Sequence, residues 1–265
     1  MWSSGSARKP KLRATVASPD DARVTRTFGI VVFARMSSAR LPGKTLAAIA
    51  GRPMLGHVLE RLRRVRGALP VVVATSEAPE DAAIADFAAA NGVAVYRGAL
   101  ADVAGRALAA AARHGFDAFV RISGDSPFID PALIARALDH HAAQAPDMTS
   151  NVFPRSYPPG CSVEVIERAA LARALPLMDD EEHEHVTLHF YRHAKAWRIA
   201  NLAGPAGRYD GVRLAVDTAA DLVQARAVAA ALGARVLDAG LDEVAGLARA
   251  CNADVGVEAT GARGR

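Results

Sequence analysis

Three cations and two carboxylates stand out by type and by what precedes them. Arg35, Arg40 and Lys44 follow the apolar run from Phe28 to Ala34, with hydroxyls at Ser37 and Ser38 and a Pro42-Gly43 turn between the last two charges. Fixed positive charge directly beyond a buried strand is a place for a polyphosphate, because ligands of open α/β sheets bind beyond the carboxyl ends of the strands. Arginine adds planar, multi-donor hydrogen bonding to the charge. Asp125, in Ile-Ser-Gly-Asp-Ser-Pro, and Asp217, in Ala-Val-Asp-Thr, each close an apolar segment, so both are expected at the rim that holds the basic loop. Mg2+ takes one or two carboxylates together with phosphate oxygens and water. The plainer alternatives are a solvated basic turn for the loop and helix caps for the two aspartates.

The elements that must position these groups follow from periodicity. Ile30, Val31 and Val32 make 28–34 a strand buried on both faces. Further strands are expected at 71–75, 93–96, 117–122 and 212–216. Helices are expected from Pro53 to about Val65, from Pro79 to Asn91, and at 101–114, 132–141, 219–232 and 241–250. On the first of these, Met54, Leu55, Val58, Leu59 and Leu62 share a face, and Arg61, Arg63, Arg64 and Arg66 lie mostly on the other. If 71–75 runs parallel to 28–34, its end at Ala74 and Thr75 reaches the same side as the basic loop. Strand–helix alternation implies an α/β fold: a mostly parallel central sheet with helices on both faces. The rhythm breaks between 149 and 201, where a strand is expected at 161–166 and an acidic, His-rich helix near 181–193. Residues 1–27 read as a disordered extension, 28–251 as one domain with 149–201 as an insertion, and 252–265 as a flexible tail.

The basic loop is neither a P-loop nor a dinucleotide fingerprint. Arg35, Ser38, Arg40, Leu41, Pro42, Gly43 and Lys44 instead spell R-x-x-S-x-R-L-P-G-K, which resembles the signature of the CMP-sugar synthetase group of cytidylyltransferases. The spore-coat polysaccharide biosynthesis branch is the nearest in pattern, and CMP-Kdo synthetase is a more distant relative. Gly124-Asp125-Ser126-Pro127 and Val216-Asp217-Thr218-Ala219-Ala220-Asp221-Leu222 resemble the group's two metal-carboxylate segments. The chain departs from the usual pattern at Phe33, Ser37 and Ala39 in the loop and at Ser162, where an aspartate is common.

The resemblance implies a Rossmann-like, GT-A-like fold and a Mg2+-dependent transfer of CMP from CTP to an acidic or modified sugar, with release of pyrophosphate. It implies nucleotide contacts from Arg35, Ser37, Ser38, Arg40, Lys44, Ala74, Thr75 and Asp125. Catalytic roles fall to Arg40, Lys44, Asp125 and Asp217, the last two as metal ligands. Tyr157-Pro158-Pro159-Gly160 and Glu184-His185-Val186-Thr187 resemble acceptor-side pieces, which makes Asn151, Arg155, Glu164 and His185 candidates for holding the sugar. A homodimer through 149–201 is a further implication. The rival readings are a nucleotide-sugar-dependent glycosyltransferase, a cytidylyltransferase with a nonsugar acceptor such as a phosphonate, and a catalytically silent nucleotide-binding protein.

Composition excludes other classes. A length of 265 residues with 51% hydrophobic content can bury a full core. The net charge of +4 comes partly from the N-terminal stretch, and no basic stripe is interleaved with aromatics, so no nucleic-acid partner is expected. No apolar run approaches transmembrane length, and no apolar signal core precedes residue 28, so no membrane partner is expected. Cys161 and Cys251 lack metal-type spacing and fit a reducing cytoplasm. His185 and His189 are four apart on the expected helix, but no third zinc ligand is evident from the sequence.

Overall fold

Ile30, Val31 and Val32 are fully buried, yet they belong to two different cores. Successive strand residues face opposite sides, so a strand apolar at every position needs cover on both. The computed structural model describes residues 26–254. In it, that strand, β1 (Phe28–Phe33), lies inside a seven-stranded sheet. After it come a two-stranded antiparallel ribbon, β2 (Ala48–Ile49) and β3 (Arg52–Pro53), and then β4 (Val71–Ser76), β5 (Ala94–Gly98) and β6 (Ala118–Ser123). The last three strands are β7 (Met148–Ser150), β8 (Glu164–Glu167) and β9 (Ile199–Asn201).

The sheet order is β5-β4-β1-β6-β8-β7-β9. Six strands run one way and β8 runs against its neighbours β6 and β7. The sheet is therefore mostly parallel, with the reversal where the strand–helix rhythm breaks. On one face Ile30, Val32 and Val120 pack with α1 (Met54–Leu62), α4 (Pro131–Gln144), α8 (Ala219–Leu232) and α9 (Leu241–Asp254). The α2 helix (Ala82–Ala90) joins this core through Ile84 and Ala88. On the other face Val31, Val72 and Phe119 pack with α3 (Val103–Arg113), α5 (Arg168–Ala174) and α7 (Leu188–Arg192), and α6 (Asp180–Glu184) lies just before α7. Among the described residues no helix is long and apolar enough to cross a membrane.

Several expectations need correction. In the segment 212–216 Val212, Leu214 and Val216 are buried, but among the described residues it pairs with no strand; Leu214 N and Ala215 N donate instead to Pro159 O, at 2.7 and 3.0 Å. The expected helix at 181–193 is two helices, α6 and α7, broken at His185–Thr187, so His185 and His189 do not share one face. The strand expected from Cys161 begins only at Glu164. Arg61 is not on a solvated face: it is fully buried, donating to the carbonyls of Ile129 (2.7 Å), Val236 (3.0 Å) and Ala239 (2.6 Å). The final helix continues to Asp254, and the tails expected at 1–27 and 252–265 lie almost wholly outside the described residues.

Candidate active site

The loop after β1 is held in shape before it meets any ligand. Gly43 sits in the left-handed region (φ 73°), where a side chain would be strained, and its N–H donates to Met36 O at 3.0 Å. Thr45 Oγ1 donates to Arg35 O at 2.8 Å. The buried Asp81 accepts from Met36 N at 2.6 Å and from the Ser76 hydroxyl, pinning the loop to the end of β4. The short 3-10 turn Lys44–Leu46 then aims the Lys44 side chain back beneath the loop.

The two aspartates arrive by separate routes. Gly124 N donates to Phe33 O at 2.8 Å, which brings the end of β6 beside the end of β1 and fixes Asp125 there. Val216 N donates to Asp125 O at 3.0 Å, laying the 212–217 segment alongside. Gly160 permits that approach, because a Cβ there would stand 2.3 Å from the Leu214 carbonyl carbon. All three groups meet at Lys44 Nζ, which donates to Asp125 Oδ2 (2.9 Å), Asp217 Oδ1 (2.8 Å) and Val216 O (2.8 Å).

Other cations converge on the same carboxylates. Arg40 Nη2 is 3.3 Å from Asp217 Oδ1, and Arg213 pairs with Asp217 Oδ2 and with Asp221. Burial opposes ionisation of Asp217, but the Lys44 hydrogen bond and the charges of Lys44, Arg213 and Arg40 outweigh it. The carboxyl is held below the ordinary aspartate range. Asp221 accepts from Asp217 N and Thr218 N at the start of α8, a capping box that orients the Asp217 backbone. Asp130 caps α4 through Ala132 N and also accepts from Leu241 N.

Above this cluster lies a cleft of about 420 Å³, lined among others by Arg35, Ser38, Arg40, Lys44, Asp125 and Asp217. His185 also lines it, and Glu184 on α6 reaches across to Arg35 at 3.3 Å. Ser37 is exposed, Ala74 and Thr75 are fully buried, and none of the three lines the cleft. Two arginines of the lining escaped the sequence reading. Arg106 on α3 is 4% exposed, donates to Ala99 O through Nη1 and, among the described residues, finds no partner for its Nε. Burial lowers its pKa from the ordinary arginine value. Arg121 on β6 donates to Glu164 Oε2 at 2.8 Å, and among the described residues its Nε is also unpartnered. Placement on an Ala-rich helix and mid-strand gave neither arginine a motif.

The expected acceptor residues divide. Asn151 is fully buried, its amide donating to Cys161 O and accepting from Val163 N, both at 2.8 Å, so it braces the backbone. Glu164 is 2% exposed and is held by Arg121 and the Tyr191 hydroxyl. Arg155 is exposed and donates to Ser162 Oγ at 3.2 Å. Burial pushes the Cys161 thiol up to about 12, which rules out a thiolate nucleophile at neutral pH.

The donor chemistry suits a hard divalent cation: two carboxylates already converge on one positive charge, and Asp125 Oδ1 carries only a long 3.4 Å bond from Ser126 Oγ among the described residues. Comparison with known proteins bears on the family rather than on the metal. A family model described as cytidylyltransferase matches residues 29–211. The chain is 28% identical to the spore coat polysaccharide biosynthesis protein SpsF of Bacillus subtilis, over 77% of this chain and 87% of that one. It is 35% identical to the 3-deoxy-manno-octulosonate cytidylyltransferase of Aeromonas salmonicida, over 70% of this chain and 71% of that one. A solved cytidylyltransferase from Leptospira borgpetersenii superposes with a TM-score of 0.82 at 25% identity, covering 88% of this chain and 98% of that one. With its basic loop inside the matched span and its fold shared with a solved member, the chain belongs to the cytidylyltransferase family and is a nucleotidyltransferase.

Proposed function

We propose that this protein transfers CMP from CTP to a hydroxyl of a sugar, acidic or otherwise modified, and releases pyrophosphate. The observation that carries the reading is the meeting of Lys44, Asp125 and Asp217 at the floor of a cleft rimmed by Arg35 and Arg40. Arg40 and Lys44 present fixed positive charge to the β- and γ-phosphates, with Arg35 near the triphosphate. Asp125 and Asp217 would hold Mg2+. When bound, the cation neutralises charge on the triphosphate and polarises the α-phosphate.

The residues of the chain then align the partners. The acceptor oxygen forms its bond to the α-phosphorus in line as the bond to the bridging oxygen of pyrophosphate breaks. Catalysis is mostly alignment and charge neutralisation. Arg155 and His185 have exposed side chains that could meet an acceptor, while Asn151 and Glu164 brace the structure behind them. A homodimer through 149–201 belongs to the same reading, and sedimentation analysis tests it.

The reading is tested by pyrophosphate release over the four nucleoside triphosphates with a panel of acidic sugars. Release is expected with CTP and at least one sugar, only when Mg2+ is present. Glycosyl transfer from a nucleotide-sugar, without any use of a triphosphate, would overturn it.

A further inference from the structure

From sequence, His185 and His189 form a pair with no third ligand. The fold breaks that pair and assembles another set. The turn at His185–Thr187 folds α7 back toward α6, so Glu182 on α6 meets His189 on α7 and His193 just beyond it. His189 Nδ1 is 2.8 Å from Glu182 Oε2, and His193 Nε2 is 3.5 Å from Glu182 Oε1. One ligand atom from each of the three residues lies within 4.8 Å of the other two. We infer that Glu182, His189 and His193 form a binding site for a borderline-soft divalent cation, Zn2+ by preference, separate from the Asp125–Asp217 pair.

Two imidazole nitrogens and one carboxylate oxygen are a zinc donor set with an open fourth position; Mg2+ avoids such nitrogen-rich sites. The burial pattern fits this. Glu182 and His189 are 3% and 5% exposed, which dries two ligands, while His193 is 54% exposed and leaves a side open for entry and for a water ligand. Glu182 Oε2 also accepts from Asp179 N at 3.2 Å, an outer bond that fixes the carboxylate's orientation.

A simple ion pair explains Glu182 and His189 but not the third member. The His189 and His193 rings lie 4.5 Å apart, centroid to centroid, against one carboxylate. A cation between them would take one nitrogen from each ring together with a Glu182 oxygen. The nearest competing charge is Arg192, 3.8 Å from Glu182 Oε1, and it is paired with Asp179 and Glu181.

A cation here would tie α6 to α7. Because α6 carries Glu184 and ends at His185, both lining the cleft, the site would stiffen that wall.

The test uses the full chain free of any affinity tag, stripped with a chelator and titrated calorimetrically with Zn2+ in saturating Mg2+, with thermal unfolding followed in parallel. One equivalent of Zn2+ is expected to bind and to raise Tm by mass action. His193→Ala, at an exposed position that tolerates truncation, is expected to lose about 100-fold or more in Zn2+ affinity and to lose the Tm gain. His185→Ala, in the cleft, is expected to keep both. No uptake of Zn2+ by the wild type, or equal affinity in wild type and His193→Ala, would overturn the inference.

Discussion

The Lys44 ammonium lies 2.8 Å from Asp217 Oδ1, although 173 residues separate the two in sequence. The same nitrogen reaches Asp125, so a single cation side chain draws together carboxylates delivered by β6 and by the 212–217 segment. Two carboxylates that close repel each other unless a positive charge lies between them, and Lys44 supplies it in the protein without nucleotide.

Lys44 therefore both competes with a divalent cation and serves the triphosphate. In Lys44→Met the carboxylates lose their internal counter-charge. The Mg2+ concentration for half-maximal binding is expected to fall, while kcat/KM for the nucleotide drops by about 100-fold or more, the scale seen when a preorganised charge-stabilising donor is removed. Mg2+ titration and steady-state kinetics on the same variant separate the two effects. Unchanged kinetics would leave Lys44 as a structural ion pair.

Asp217 also links the site to acid stability. Its folded pKa lies below the ordinary 3.8, so between those two pH values the unfolded chain binds more protons and stability falls as pH falls. The contribution is complete above about pH 3.8 and vanishes once the pH passes below the folded value. Urea midpoints measured against pH are expected to show wild type above Asp217→Asn at neutral pH. The gap should close at the acid end of the series.

Arg106 gives a prediction that no motif suggested. Arg106 lines the cleft, so a ligand acceptor that reaches its guanidinium would gain a charge-assisted bond. Arg106→Met is expected to weaken nucleotide binding about tenfold or more, equivalent to about 1.4 kcal/mol, with a native circular dichroism spectrum. Calorimetry with CTP checks it.

Arg61 is the stability counterpart. Its guanidinium serves three backbone carbonyls deep under α1, and each one left buried without a donor costs about 1–3 kcal/mol. Arg61→Met is expected to lower unfolding free energy by about 3 kcal/mol or more in urea denaturation. Arg61→Lys should recover only part of it, because one ammonium cannot span three acceptors.

Much of this architecture was legible because β1, β4 and β6 are built on apolar runs and the helices between them have clear stops. Helix α8 begins at Ala219 and ends at Leu232, where the capping box and Gly233 set its limits. Strands β7 and β9 were not legible, since three residues carry no periodicity and their pairing partners lie far away in sequence. Val212 to Val216 has strand composition, but its hydrogen bonds go to Pro159 and Asp125, a choice only the tertiary fold makes. Arg61 looked solvated because helical spacing alone does not reveal that a second segment, 236–239, covers that side. In the site, the loop cations and both aspartates could be named from sequence. The commitment of Asn151 to Cys161 and Val163 could not, because an asparagine amide looks the same facing a sugar or a backbone.

The central claim, that Asp125 and Asp217 together hold a divalent cation against the nucleotide, is tested most directly without any acceptor. CTP is titrated calorimetrically into wild type and into the Asp125→Asn/Asp217→Asn double variant, each in Mg2+ and in chelator. The account predicts that Mg2+ tightens CTP binding to wild type about tenfold or more and leaves the double variant's affinity where the chelator leaves it. An equal Mg2+ gain in both proteins would contradict it.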